Sequence, residues 1–192
     1  MIVKTKLPTS VGQFEISAYE SDFSNFPHLA LHTPNFSAKK VVDVRIHSEC
    51  MTGDVFMSSR CDCGDQLHYA MDWIQKNEGI IVYLRQEGRG IGLVNKLKAY
   101  NLQDAGLNTC DANTELGFAE DARSYEMAAK ILKDLNVTEI RLLTNNPKKI
   151  DAVENLGIKV IDRIPVEINP NDVNESYLKT KKDRMGHMLK MV

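Results

Sequence analysis

Helical and strand-like patterns alternate through residues 124–166 of this chain. The stretch SYEMAAKILKDLNV has apolar residues at helical spacing, EIRLLT is typical of a strand, NPKKIDAVENLG of a second helix, and IKVIDRIPV of a second strand. Such alternation places successive strands side by side in one sheet, with the helices packed across it. The second half of the chain is therefore predicted to have an α/β fold.

Capping signals define the second of these helices. Asn146 is a suitable N-cap, Pro147 suits the first helical position because it has no N–H to leave unpaired, and Gly157 suits the position just after the C-cap. A helix is therefore predicted between Asn146 and Gly157.

The first half is predicted to be rich in sheet. Residues 11–20 and 39–49 alternate or carry β-branched runs, a helix ending at Gly79 follows over residues 65–79, and residues 80–84 form a buried strand. A further helix is expected to present Leu93, Leu97 and Tyr100 on one side. We predict a mixed sheet with flanking helices in one domain over residues 1–168, and a mobile polar and basic tail over residues 169–192.

Charge and hydropathy restrict the partners. The 192 residues have a net charge of -2, a pI near 6.2 and a mean hydropathy of -0.31, with no apolar run long enough for a membrane span. A broad basic surface for nucleic acid or anionic membrane is therefore not expected. We expect a cytoplasmic protein in which any anionic ligand meets a local positive site.

Three of the four cysteines are close in sequence: Cys50, Cys61 and Cys63. In a reducing compartment clustered thiols more often bind metal than form disulfides. Three thiolates suit zinc and leave a fourth position for water, whose pKa zinc can lower to about 7. The alternatives are a closed structural site completed by His47, His68 or Cys110, and buried free cysteines without metal.

The His47-Ser48-Glu49 sequence precedes the first cysteine. It resembles the HxE motif of zinc-dependent base deaminases, but the P-C-x-x-C partner motif of that class is absent. The alternative is that His47 is an ordinary strand-end side chain with a satisfied hydrogen bond.

Two segments have the features of phosphate sites. RQEGRGIGL interleaves glycines with Arg85, Glu87 and Arg89 between a strand and a helix, and TNNPKK joins a strand end to a helix start. The alternatives are a tight turn with solvated charges and a solvated helix face carrying Lys148 and Lys149. Two phosphate sites and a zinc site together indicate hydrolysis of a polyphosphorylated substrate.

Five motifs now occur in order: RIHSECMTGDVFMSSRCDCG, RQEGRGIGLVNKLKAYNLQD, LGFAEDARSY, RLLTNNPKK and YLKTKKDRMGH. With them the chain resembles the GTP cyclohydrolase II family over nearly its whole length. The resemblance implies a hydrolase acting on GTP at the first step of riboflavin biosynthesis. The implied products are 2,5-diamino-6-ribosylamino-4(3H)-pyrimidinone 5′-phosphate, formate and pyrophosphate. Residues 18–40 match poorly, and no role is assigned to them.

The resemblance also implies site residues, cofactors and assembly. One Zn²⁺ per subunit is expected on Cys50, Cys61 and Cys63, Mg²⁺ is expected with the GTP triphosphate, and the family is typically homodimeric. In the family pattern Asp121 corresponds to a proton acceptor, Arg123 to a nucleophile at the α-phosphate, and Tyr100 to a tyrosine near the base. The implied GTP contacts are Arg45, Ile46, His47, Ser48, Glu49, Gln66, Glu87, Gly88, Arg89, Thr109, Thr144 and Lys149.

Two other functions remain open. A zinc-dependent nucleobase or nucleotide deaminase would release ammonia instead of formate. A zinc-stabilised binding module without catalysis would bind GTP tightly without turnover.

Overall fold

A single seven-stranded mixed sheet runs through the computed structural model, which describes residues 1–21 and 25–192, so that part of the poorly matched segment lies outside the described residues. The strands are β1 (Val3–Pro8), β2 (Gln13–Tyr19), β3 (His28–His32), β4 (Val42–Ser48), β5 (Gly79–Leu84), β6 (Glu139–Leu143) and β7 (Lys159–Ile164). Their order is β1-β2-β3-β5-β4-β6-β7. The pairs among β1, β2, β3 and β5 are antiparallel, whereas β5, β4, β6 and β7 run parallel.

The helices connect the parallel strands or follow them. They are α1 (Met51–Asp54), α2 (Cys63–Asn77), α3 (Leu93–Asp104), α4 (Thr109–Glu115), α5 (Glu126–Asp134), α6 (Pro147–Asn155) and α7 (Glu175–Asp183). The predicted mixed sheet is confirmed, with strands concentrated in the first half and helix alternating with strand in the second. Among the described residues no helix is long and apolar enough to cross a membrane.

Each face of the sheet has its own hydrophobic core. Successive residues of a strand point to opposite faces. Ile80 and Val82 of β5 therefore pack with α5 and α6, while Ile81 packs with Ala70 and Ile74 of α2. The central strands of the sheet are thus covered on both faces.

The capping prediction for α6 is confirmed. The Asn146 side chain accepts a hydrogen bond from the Lys148 backbone N–H at 3.0 Å, Pro147 is the first helical residue, and Gly157 has φ +82°. These signals act within a few residues, so the sequence alone specifies them.

Two local interpretations were wrong. The helix predicted to end at Gly79 ends at Asn77 with Glu78 as its C-cap, and Gly79 lies in β5, where an added Cβ would stand 2.3 Å from the Asp43 carbonyl oxygen. Leu97 is 46% exposed, whereas Ala99 is buried in α3. The buried side of α3 is therefore rotated from the side that its leucines indicate.

Candidate active site

The site lies where the parallel strands β4, β5 and β6 end. Each strand is followed by a predicted site segment. Strand β4 leads into Cys50, β5 leads into the glycine-containing segment RQEGRGIGL, called the glycine turn below, and β6 leads into TNNPKK. Ligands of α/β sheets commonly bind outside the carboxyl ends of such strands. The topology therefore brings three segments that are distant in sequence to one edge.

The three cysteines form one cluster. Their Sγ atoms lie within 4.8 Å of one another, and those of Cys50 and Cys61 are 3.6 Å apart. Cys50 immediately precedes α1 and Cys63 begins α2, and hydrogen bonds with Cys50 and Cys61 together with burial raise the pKa of Cys63. Three convergent soft donors fit a zinc ion, and the cluster could hold such a metal.

Two glycines allow the loops to approach closely enough to form this cluster. A Cβ at Gly53 would stand 3.0 Å from Cys61 Sγ and 3.2 Å from Cys50 Sγ. A Cβ at Gly64 would stand 2.3 Å from the Gly53 carbonyl oxygen. The cluster geometry therefore depends on the absence of side chains at both positions.

The side chains considered as a fourth ligand lie elsewhere. His47 Nε2 is 3.0 Å from Asp54 Oδ1, His68 is exposed on α2, and Cys110 is buried with its Sγ 3.9 Å from Arg89 Nη1. Within residues 1–21 and 25–192, no fourth His, Cys, Asp or Glu side chain joins the three-thiol group. The protein therefore supplies three donors.

Lys96 of α3 contacts this cluster directly. Its Nζ lies 3.1 Å from Cys50 Sγ, 2.9 Å from Thr52 Oγ1 and 2.8 Å from Glu87 Oε1. Burial opposes the charged form, but the Cys50 thiolate and Glu87 raise the pKa of Lys96 above its ordinary value. Hydrogen bonds from the other two thiols lower the pKa of Cys50. Lys96 thus places a fixed positive charge beside the thiolates.

His47 is held away from the cysteines. Its imidazole stacks on the Tyr83 ring with centroids 5.4 Å apart, and the Tyr83 hydroxyl donates to Asp54 at 2.8 Å. Burial lowers the pKa of His47 despite the Asp54 carboxylate. His47 Nε2 is thus satisfied by Asp54, whereas its Nδ1 is buried without a hydrogen-bond partner among the described residues and the side chain lines the cavity described below. Glu49 is paired instead with Arg85, with Oε1 and Nη1 2.9 Å apart.

The glycine turn forms a strained 3-10 segment over Glu87–Gly90. Gly88 and Arg89 both have positive φ, at 61° and 62°, and such strain in a non-glycine residue is concentrated at functional sites. Glu87 is buried and accepts hydrogen bonds from the Met51 and Gly88 backbone N–H groups at 2.5 and 2.8 Å. The turn is therefore built into the site, and the interpretation as solvated charges was wrong for Glu87.

TNNPKK contributes a buried lysine. Lys149 is 5% exposed and its Nζ donates to the Ile46 carbonyl at 2.8 Å, whereas Lys148 is exposed. Burial, with Arg45 and Arg123 nearby, lowers the pKa of Lys149 well below its usual range. The expected solvated helix face is correct for Lys148 and wrong for Lys149.

Arg45 and Arg123 each have defined partners. Arg45 donates to Gln66 Oε1 at 2.7 Å and to the Leu143 carbonyl at 3.0 Å. Arg123 makes two hydrogen bonds to Asp121, at 2.8 and 2.5 Å. Burial lowers the pKa of Arg123, but these bonds outweigh it and raise that pKa. The same pair holds the pKa of Asp121 below its ordinary value, although burial alone would raise it.

These segments enclose one cavity. The cysteines and most predicted site residues line it: Cys50, Cys61, Cys63, Arg45, His47, Ser48, Glu49, Gln66, Glu87, Gly88, Arg89, Thr109, Tyr100, Arg123, Thr144 and Lys149. Two predicted site residues do not. The Ile46 side chain is buried in the core, with its carbonyl bound to Lys149, and Asp121 lies behind Arg123.

Basic side chains predominate in the lining of the cavity although the whole chain is acidic. Among the described residues seven lysines and arginines line it, against two carboxylates, Glu49 and Glu87. The basic residues are Arg45, Arg60, Arg89, Lys96, Arg123, Lys149 and Lys181. Such a concentration of cations favours a highly charged anion. The local positive site expected from the sequence is present.

Several lining residues escaped the sequence analysis. Lys96 lies within a quoted motif without an assigned role, and Tyr177, Lys181 and His187 lie in the segment interpreted as a tail. The YLKTKKDRMGH motif was the available signal, since all three of these residues belong to it.

The fold is that of an α/β protein, and its site combines a three-thiol cluster that could hold a metal with a cavity lined by basic side chains. The GTP cyclohydrolase II family model matches residues 1–165, and the chain belongs to that family.

Individual relatives agree with this assignment. The chain is 53% identical to a riboflavin biosynthesis protein RibBA of Chlorobium phaeovibrioides, over 97% of this chain and 46% of the relative. It is 48% identical to a GTP cyclohydrolase-2 of Shewanella piezotolerans, over 98% of this chain and 92% of the relative. The chain thus spans about half of the RibBA protein and most of the GTP cyclohydrolase-2.

A solved structure was also matched. It is RibBX, a two-domain 3,4-dihydroxy-2-butanone 4-phosphate synthase from A. baumannii, at a TM-score of 0.44 and 20% identity, covering 87% of this chain and 39% of that one.

Proposed function

We propose that this chain catalyses the zinc-dependent hydrolysis of GTP to 2,5-diamino-6-ribosylamino-4(3H)-pyrimidinone 5′-phosphate, formate and pyrophosphate, the first step of riboflavin biosynthesis. The observation that carries the proposal is that a three-thiol cluster and seven basic side chains open into the same cavity. Family membership supports GTP as the substrate. A guanine ring and a triphosphate would then bind in one cavity that offers both a metal cluster and basic side chains.

The thiol cluster is suited to ring opening. Zinc bound by Cys50, Cys61 and Cys63 would supply a Lewis acid that activates water toward C8 of guanine. The Tyr100 hydroxyl lies 3.2 Å from Thr52 Oγ1, and burial raises the pKa of Tyr100. Tyr100 therefore keeps its proton at neutral pH and can orient the purine as a hydrogen-bond donor.

The basic side chains are suited to pyrophosphate release. Arg123 and Lys149 can spread the charge that develops on the leaving group, in the manner of other phosphoryl-transfer sites. A guanidinium is protonated at neutral pH and is a poor nucleophile. For Arg123 to attack the α-phosphate, Asp121 would have to accept its proton. Their 2.5 Å contact supports this pairing, but it also raises the pKa of Arg123 and lowers that of Asp121, so the transfer would need the bound substrate to reverse that balance.

The remaining expectations concern the second metal, assembly and location. We propose Mg²⁺ bound with the triphosphate, one Zn²⁺ per subunit, a cytoplasmic location and a homodimer. Five exposed apolar side chains in the segment after α1 and on α3 support an apolar contact surface. They are Val55, Phe56, Met57, Val94 and Leu97. Light scattering coupled to size exclusion would measure the assembly.

One assay tests the proposed function. Zinc-loaded protein is incubated with GTP and Mg²⁺, and formate, pyrophosphate and ammonia are measured separately. We expect formate and pyrophosphate in equal amounts and no ammonia. Ammonia as the product would instead establish a deaminase, and tight GTP binding without any product would establish a binding module.

A further inference from the structure

The segment after β7 folds back over the cavity. Leu178 and Met185 are buried, at 3% and 7% exposure, and the Met188 backbone N–H donates to the Asn145 carbonyl at 2.8 Å. Asn145 itself exchanges hydrogen bonds with the Val166 backbone at 2.6 and 3.0 Å. The segment is thus tied to TNNPKK, one of the two segments that we interpret as a phosphate site.

Lys181 of α7 joins the hydrogen-bond network of the site. Its Nζ lies 2.7 Å from Asp62 Oδ1, with the two side chains 12% and 3% exposed. Asp62 Oδ2 accepts a hydrogen bond from Gln66 at 2.5 Å, and Gln66 accepts one from Arg45 at 2.7 Å. A chain of hydrogen bonds through Asp62 and Gln66 therefore connects Lys181 to Arg45.

His187 faces the same cavity with an unused hydrogen-bonding atom. Its backbone N–H is fixed by the Lys181 carbonyl at 3.0 Å, and its Nε2 is buried without a hydrogen-bond partner among the described residues. Lys181, Arg123 and Lys149 are close enough to influence it electrostatically. A buried polar atom without a partner is costly, so such an atom in a binding cavity points to a ligand.

We propose that this C-terminal segment is part of the GTP site: His187 Nε2–H contacts a phosphate group of the nucleotide, and Lys181 positions Gln66 and Arg45 through Asp62. The inference rests on the proposed function. An imidazole N–H beside Lys181, Arg123 and Lys149 matches an anionic oxygen, and a hydrogen bond to a charged group is stronger than one between neutral groups. His187 is thus a specificity-determining residue, and Lys181 is a positioning residue.

The experiment compares zinc-loaded variants. His187→Leu removes the donor, His187→Gln keeps an N–H near the Nε2 position, and Lys181→Met removes the ammonium. Lys179→Met is the matched control, because Lys179 is exposed on α7 and pairs with Glu175. Kinetic constants for GTP, inhibition by inorganic pyrophosphate and inhibition by guanosine are measured, together with zinc content and thermal midpoint.

We expect His187→Leu to raise KM for GTP and the inhibition constant of pyrophosphate roughly tenfold to a hundredfold. Guanosine inhibition should be unchanged, because guanosine has no phosphate. His187→Gln should recover most of the loss, Lys181→Met should weaken pyrophosphate inhibition, and Lys179→Met should match the unmodified protein.

Two results would overturn the inference. The first is that His187→Leu and Lys181→Met both have the KM for GTP and the pyrophosphate inhibition constant of the unmodified protein. The other is an equal loss of pyrophosphate and guanosine inhibition with a lowered zinc content, which would assign the segment a purely structural role. Absence of GTP turnover in the unmodified protein would contradict the proposed function itself, so the two failures are distinguishable.

Discussion

The Nζ atom of Lys96 lies 3.1 Å from Cys50 Sγ, closer than Cys61 Sγ, which is 3.6 Å from the same atom. Zinc bound by three thiolates carries a net negative charge, and a buried net charge is costly unless it is compensated. Glu87 Oε1 fixes the ammonium at 2.8 Å. Lys96 therefore lies where it would contact a metal ligand rather than the metal itself and would support the metal site from there.

We expect Lys96→Met to weaken zinc binding about tenfold to a hundredfold, because outer-shell partners commonly contribute that much to metal affinity. Competition with a chromophoric chelator measures the affinity. Lys98→Met is the control, since Lys98 is exposed on the same helix. Equal zinc affinity in the two variants would contradict the role given to Lys96.

Gly64→Ala should destabilise the protein more than Gly53→Ala. The added methyl at Gly64 meets the Gly53 carbonyl oxygen at 2.3 Å, which is backbone and yields little. At Gly53 the nearest atoms belong to the cysteine side chains and lie at 3.0 Å or more, so the overlap is smaller. Overpacking of this kind costs about 1–3 kcal/mol. Urea unfolding of both variants measures the order, and the reverse order would show that the loops rearrange freely.

Arg123→Lys should slow pyrophosphate release at least about tenfold, because a lysine cannot form the bidentate contact that Arg123 makes with Asp121. Formate and pyrophosphate are measured separately under saturating GTP. A phosphoramidate trapped on Arg123 would establish the covalent role. Full pyrophosphate release by Arg123→Lys would exclude a covalent role and any stabilising role that needs the guanidinium fork.

Folding stability should fall in acid partly through His187. Burial, with Lys181, Arg123 and Lys149 nearby and Asp62 opposing them, lowers the pKa of His187 from 6.5 to about 3. Between these values the unfolded state binds the proton and the folded state does not. The stabilisation is therefore fully present above pH 6.5 and is lost progressively as the pH falls toward 3.

Urea midpoints at about pH 7.5 and about pH 5.5, with zinc in excess, measure this dependence. His187→Leu should lose less stability on acidification than the unmodified protein. His68→Leu, which alters an exposed histidine, should keep the original dependence. Identical pH dependence in all three proteins would show that His187 does not contribute.

Local signals specified much of this fold in advance. Asn146, Pro147 and Gly157 define α6 through contacts within a few residues, and β-branched runs specify β4 and β5. Leu97 was misassigned because the buried side of α3 is set by what the helix packs on, not by its own pattern. Tertiary packing overrides weak amphipathicity in this way.

The site was predictable only where a local sequence signal exists. The spacing of the cysteines indicated a metal, and the structure brings all three thiols together. Lys149 could not be distinguished from Lys148 by sequence, because its burial depends on the Ile46 carbonyl 103 residues away. His187 belongs to a quoted motif, but its place in the cavity depends on contacts such as that of the Met188 N–H with the distant Asn145 carbonyl, which the motif alone does not reveal.

The central claim is that the three thiols hold the zinc on which ring opening depends. The most direct measurement determines bound zinc and formate release from GTP together, in the unmodified protein and in Cys61→Ser. We predict that Cys61→Ser loses zinc and formate release in parallel, while Cys110→Ser, which alters a cysteine outside the cluster, keeps both. Formate release by zinc-free Cys61→Ser would contradict the account.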